Sequence, residues 1–287
     1  MNPVAIVGAG PIGGALALSL VSRGLVRHVR LVDELGPAAR ALALDVHQSG
    51  PPFRSDTCVT GTGDIDAVAG VGVVVLADEA RSGREWRGEP GLVMLARVVK
   101  AGPGAVVVLA GSDPAWMMER ALSELRLPAA RMVGTSPIAF EAGARAVAAL
   151  EAGVPAGDVD LRIAGRIPSG VVVLWSLANV AGEPAVARLS DAARRRVEAR
   201  LASLWPPGPQ ALASAAARAC HAIGANTGRT MTCMVVGGTD GPGPGRAVAL
   251  PTRLGETGVL GVRMPGGSPR EQIALSAALD GRWGSMP

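Results

Sequence analysis

Val4-Ala5-Ile6-Val7-Gly8-Ala9-Gly10-Pro11-Ile12-Gly13 runs from an apolar stretch into a glycine-rich turn, and Asp33 stands 20 residues beyond the last of these glycines, closing a second apolar run over residues 29–32. The order is strand, turn, helix, strand, acid. Gly8 allows the tight turn out of the strand, Gly10 lets backbone approach a pyrophosphate, and Gly13 lets the helix pack closely while its N-terminus faces the phosphates. Asp33 is placed to accept from a ribose 2′-hydroxyl and to repel a 2′-phosphate, so the cofactor expected is NAD rather than NADP. Pro11 and Ile12, in the first helical turn, complete this cofactor-binding set. A lone glycine-rich turn would be weak evidence; the ordered context makes the reading specific.

Working outward, β-branched runs at 4–7, 29–32, 57–60, 71–76, 105–109 and 131–133 alternate with Ala/Leu-rich helical stretches at 12–22, 38–46, 90–99 and 114–124. Such alternation predicts an α/β fold of the Rossmann type, a doubly wound parallel sheet with helices on both faces, over residues 1–136. Beyond residue 150 the pattern changes to paired strands at 160–164 and 170–175, helices at 191–204 and 210–223, three further strands and a terminal helix from Pro269. This predicts a second, α+β substrate domain over residues 137–287. Residues 237–245 read as a hairpin loop.

Composition narrows the function classes. The 287 residues are 48% hydrophobic, ample for a packed core. No apolar run approaches the roughly 18 residues of a membrane span, and the first strand begins too early to leave room for a signal peptide. Cys58, Cys220 and Cys233 form no CxxC pair, so neither a disulfide framework nor a metal site is expected, and a reducing cytoplasm suits them. The net charge of +4 is carried almost wholly by scattered arginines. Arg194, Arg195, Arg196 and Arg200 alternate with Val197 and Leu201 as a solvated helix face would. With two Phe, five Trp and no Tyr, nucleic acid is not an expected partner.

These segments together resemble the lactate/malate dehydrogenase family over nearly the whole chain. The resemblance is carried by Leu31-Val32-Asp33, by residues 43–48 with Pro52-Phe53, by Val73-Val74-Val75-Leu76-Ala77 and by Val106 through Leu109 leading to Ser112-Asp113-Pro114. Gly165, residues 172–176 with Gly182 and Pro184, Ala222-Ile223-Gly224, residues 248–251 and Leu254-Gly255 with Gly258 continue it. It implies a cofactor site that also includes Ala77 and Ser112, and a homodimer or homotetramer pairing near the helix after Asp33 and the helix around Arg194.

The departures are concentrated at the chemistry. The family's proton-relay histidine falls on Ile167, the aspartate that orients it on Phe140, and the arginine that clamps the substrate carboxylate on Gly143; a shift of a residue or two offers Glu141 and Arg145 instead. The loop bearing a polarising arginine is shortened, leaving Arg81, Arg84 and Arg87 as candidates, and Arg166 beside Ile167 is a further anion-binding candidate. An isoleucine cannot exchange a proton, so ordinary 2-hydroxy-acid dehydrogenase activity is not expected.

What remains for proton transfer is Asp113, Glu141 and His221. Asp113, just beyond a strand's carboxyl end, reads either as a general acid/base or cation-holding group, or as a helix N-cap before Pro114. His221 reads as a structural or subunit-contact residue ahead of a proton donor, because it lies about 200° around its helix from Ala219. His28 and His47 fall outside the catalytic cluster. The resulting expectation is an NAD-dependent oxidoreductase acting on a non-standard carbonyl or imine substrate; the alternatives are a non-redox cyclase or lyase and a catalytically silent NAD-binding protein on the same fold.

Overall fold

The computed structural model describes residues 3–237 and 245–279; most of the expected hairpin loop at 237–245 lies outside the described residues. In chain order the first half holds β1 (Val4–Val7), α1 (Pro11–Ser22), β2 (His28–Val32), α2 (Gly36–Gln48), β3 (Cys58–Thr62), β4 (Val73–Leu76), α3 (Gly88–Ala101), β5 (Val106–Leu109), α4 (Ala115–Glu124), β6 (Met132–Gly134) and α5 (Ser136–Ala152). The second half holds β7 (Val159–Asp160), β8 (Ile163–Arg166), β9 (Gly170–Val173), β10 (Asn179–Val180), β11 (Glu183–Pro184), α6 (Ala185–Arg188), α7 (Asp191–Leu201), α8 (Pro209–Gly224), β12 (Thr230–Val236), β13 (Ala247–Gly255), β14 (Gly258–Val262) and α9 (Pro269–Leu279).

The first six strands are parallel in the order β3-β2-β1-β4-β5-β6, so the topology reverses between β1 and β4. In an open α/β sheet the crevice at that reversal, outside the strands' carboxyl ends, is where ligands bind. β4 (VVVL) and β5 (VVVL) are buried along their whole length, as parallel strands covered by helices on both faces must be. The sheet then continues antiparallel through β12, β13, β8 and β9, with β14 on β13, while β11, β10 and β7 form a small separate sheet.

The expected elements through residue 135 all form, within a few residues at their ends. One expectation needs correction, and one helix is additional. The strand placed at 160–164 is split into β7 and β8, and residues 136–152, left unassigned by the alternating pattern, make the 17-residue helix α5. α5 is Ala-rich and buried on most sides, so it lacks the sharp amphipathic signature of a surface helix. α7 behaves as expected: Val197 and Leu201 are buried, while Arg196 and Arg200 reach Glu151 of α5 at 2.7 and 3.3 Å. Leu16 and Leu20 of α1 share an apolar core with Ala215, Ala216 and Ala219 of α8, which ties the two halves of the chain together. No described helix is long and apolar enough to cross a membrane.

Candidate functional site

The turn after β1 is built as its glycines predict. A Cβ on Gly13 would lie 2.0 Å from the carbonyl oxygen of Gly8, so only glycine lets α1 start this close to the strand. Asp33, at the end of β2, is buried, and its carboxylate accepts from three backbone amides: Ala9 at 3.0 Å, Ala80 at 2.9 Å and Leu35 at 2.8 Å. It therefore clips the turn after β1 to the loop after β4.

That loop carries the residue the sequence reading missed. Asp78, only 1% exposed, points its carboxylate at the N-terminus of α1, where Oδ2 accepts from Ile12 N at 2.8 Å and Oδ1 from Gly13 N at 2.9 Å. Its backbone carbonyl accepts from Gly10 N at 3.1 Å. The open side of Gly10, which would let a pyrophosphate approach, is filled by the same side chain: a Cβ there would meet Asp78 Cγ at 2.6 Å. Burial pushes the Asp78 carboxyl above its usual range against the pull of the two amides, and the nearby Glu85 and Asp33 push it further. With Asp78 in this position a cofactor pyrophosphate does not fit the cradle. The signal in the sequence was an acid two residues past β4, the neighbour of β1 across the switch point.

Residues 78–86 fold back as a tight hairpin. Asp78 bridges Glu85, Glu79 N donates to Arg84 O at 2.8 Å, and Trp86 N donates to Ala77 O at 3.2 Å. Ser112, expected to meet the cofactor, instead donates both its backbone N–H (2.8 Å) and its hydroxyl (2.7 Å) to Glu85 Oε2. Beside the hairpin lie two adjoining clefts that share Asp33, Glu34 and Trp86. One reaches Val7, Gly8, Val32 and Ile65; the other reaches Leu35, Glu79 and Arg81. Arg84 and Arg87 are exposed.

At the expected relay and clamp positions the surroundings are apolar. Phe140 and Ile167 are buried in one cluster with Val173, Trp175 and Val197. A Cβ on Gly143 would lie 3.2 Å from Leu204 Cδ1, so Leu204 occupies the room a side chain there would need. One position along from Phe140, Glu141 is buried but satisfied: it accepts from Ile163 N at 3.3 Å and from the Thr232 hydroxyl at 2.5 Å, and pairs with Arg145 at 2.7 Å. Burial raises its carboxyl above the ordinary range despite these partners. Arg145 is spent on Glu141 and on the Leu161 carbonyl at 3.1 Å, so this pair joins α5 to β8 and β12 rather than presenting a clamp.

The remaining candidates lie apart. Asp113 is exposed, and the cap position of α4 is taken by Pro114 with no side-chain cap, which corrects the capping alternative; its surroundings do not desolvate it. His221 is half-buried near the end of α8, and Arg166 is half-buried beside Ile167. No hydrogen bond or ion pair joins Asp113, Glu141 and His221 to one another among the described residues. The described residues also hold no group of His, Cys, Asp and Glu suited to a metal ion.

With this geometry in place, residues 2–85 match the family described as lactate/malate dehydrogenase, NAD binding domain. An L-lactate dehydrogenase of Bifidobacterium animalis subsp. lactis is 29% identical over 189 residues, covering 63% of this chain and 59% of that protein. L-lactate dehydrogenase B of Hordeum vulgare is 26% identical over 291 residues, covering 91% of this chain and 83% of that one. The fold matches that of the malate dehydrogenase from Salinibacter ruber, with a TM-score of 0.86 at 22% identity over 99% of this chain and 95% of that one. It also matches the lactate dehydrogenase from Cryptosporidium parvum complexed with lactic acid and nicotinamide adenine dinucleotide, with a TM-score of 0.84 at 22% identity over 100% and 99%.

Proposed function

Because the chain belongs to the lactate/malate dehydrogenase family and residues 2–85 are its NAD-binding domain, we propose that it is an NAD-dependent oxidoreductase whose substrate is a carbonyl or imine compound other than a simple 2-hydroxy or 2-oxo acid. Residues 1–136 are the dinucleotide-binding half and residues 137–287 the substrate half, and the protein works in the cytoplasm as a homo-oligomer. The observation that carries the reading is the apolar character of the relay and clamp positions. Phe140 and Ile167 are buried among aliphatic and aromatic side chains, and Leu204 stands beside Gly143. A 2-oxo acid needs a proton donor for its carbonyl oxygen and a cation for its carboxylate. Those positions instead suit a substrate that carries an apolar group where the family's substrates carry a carboxylate.

Proton exchange is assigned to Asp113, which is exposed at the carboxyl end of β5. Glu141 is spoken for by Arg145, Thr232 and Ile163, and serves as a strut. A second reading, that the protein is catalytically silent, is favoured by one observation, the Asp78 carboxylate on the α1 amides, where a cofactor pyrophosphate would sit. The test is absorbance of the reduced nicotinamide during incubation with pyruvate, oxaloacetate and a panel of bulkier ketones and cyclic imines. The expected result is turnover of a bulkier compound, with the two simple acids slower than it by about 10²–10⁴-fold, the usual loss when a general acid/base is missing. Turnover of pyruvate or oxaloacetate at about 10² per second overturns the proposal.

A further inference from the structure

We infer that Asp78 is a resident anion of the dinucleotide site and is the residue that sets how tightly this chain binds NAD(H), because its carboxylate and a cofactor pyrophosphate are alternative occupants of the same two amides. The inference rests on the NAD-binding part of the proposed function and not on the identity of the substrate.

A complete account of the turn's backbone donors carries it. Gly8 N donates to Val32 O, Ala9 N to Asp33 Oδ2 and Gly10 N to Asp78 O. Pro11 has no N–H, and Gly14 N is already inside the helix, donating to Gly10 O at 2.9 Å. The donors that α1 leaves for an external anion are therefore Ile12 and Gly13, and Asp78 takes both with one oxygen each. An anion arriving at this helix finds no donor unless Asp78 leaves. The volume is accounted for in the same way, since the carboxyl of Asp78 fills the space beside Gly10.

The hairpin holds Asp78 in place from several sides. Ala80 N is pinned by Asp33, Ser112 is bonded to Glu85, and Gly83 lies against Pro11, where a Cβ on Gly83 would be 3.7 Å from Pro11 Cδ. Trp86, at the hairpin's end, lines both clefts on the Asp33 side, and its indole N–H is buried with no acceptor among the described residues. It is therefore a natural optical reporter of anything that enters there.

The experiment compares NADH and adenosine binding, by calorimetry and by tryptophan fluorescence, to the full native chain, Asp78→Asn and Asp78→Gly. Asn removes the anion and keeps the shape, whereas Gly also opens the volume. We expect both variants to bind NADH at least tenfold more tightly than the native chain, with adenosine, which carries no phosphate, changing less than threefold. Equal NADH affinity in all three proteins overturns the inference, and so does failure of all three to bind NADH at millimolar concentration. If the variants do not fold, the native chain still decides the matter by NMR. On NADH saturation the Ile12 and Gly13 amides and the Asp78 carboxyl carbon should all shift, and NADH binding with an unmoved Asp78 carbon overturns it. These are binding measurements, so their failure is separate from failure of the turnover assay.

Discussion

The ring of Phe140 meets that of Trp205 edge-on, with centroids 5.7 Å apart and planes at 85°. Trp205 follows the end of α7 and Phe140 lies in the first half of α5, so this contact seals the wall of the substrate half where an aspartate would be expected. Such a pair adds about 0.5–1.5 kcal/mol to the burial of the rings. Phe140→Ala should cost about 3–5 kcal/mol in urea denaturation, as for other buried aromatic truncations. A loss under about 1 kcal/mol would mean that the wall does not depend on Phe140.

The neighbouring Gly143–Leu204 contact makes a separate prediction. Gly143→Arg should destabilise the chain by about 1–3 kcal/mol, the usual range for overpacking. The same substitution in a Leu204→Ala background should cost less than half as much, since the two sites share one space. Equal costs in the two backgrounds would show that Leu204 does not occupy that room.

Asp33 holds three amides from two loops, so Asp33→Ala should lower stability by about 1.5–3 kcal/mol, the range for hydrogen bonds to a charged group. In the native chain its charge should also favour NADH over NADPH by about tenfold or more. Unchanged denaturation midpoints in the variant, or equal affinity for the two nucleotides in the native protein, would contradict these expectations.

Thiol reactivity reports the core directly. Cys58 is exposed, whereas burial raises the Cys220 thiol to about 12 and the Cys233 thiol higher still. The thiolate is the reactive form, so at pH 8 a thiol reagent should modify one cysteine in the native chain and three in denaturant. Rapid modification of more than one in the native state would show that α8 or β12 opens readily.

Asp113 provides a contrast with Asp33. Because it caps nothing and is exposed, Asp113→Ala should change stability by no more than about 0.5 kcal/mol. Turnover of the proposed substrate should fall by about two orders of magnitude in both Asp113→Asn and Asp113→Ala. A stability loss near 1 kcal/mol confined to the alanine variant would reinstate the capping role.

The sequence by itself determined the parallel half of the fold. Continuous apolar runs such as Val73–Leu76 have one stable setting, inside a sheet covered on both faces, and Gly13 and Asp33 sit at offsets from β1 that few other folds require. It also marked Phe140, Gly143 and Ile167 as unfit for acid/base chemistry, since that follows from side-chain type alone. The tertiary structure decided how the polar groups are spent. Asp78 lies 66 residues from Ile12 and Thr232 lies 91 residues from Glu141 along the chain, so no local pattern could announce either bond. Each arises because strand order brings the carboxyl end of β4 beside the turn after β1, and sets β12 against α5. A buried carboxylate then takes whatever donors the packing offers it, because leaving it unpaired would cost more than the choice of partner.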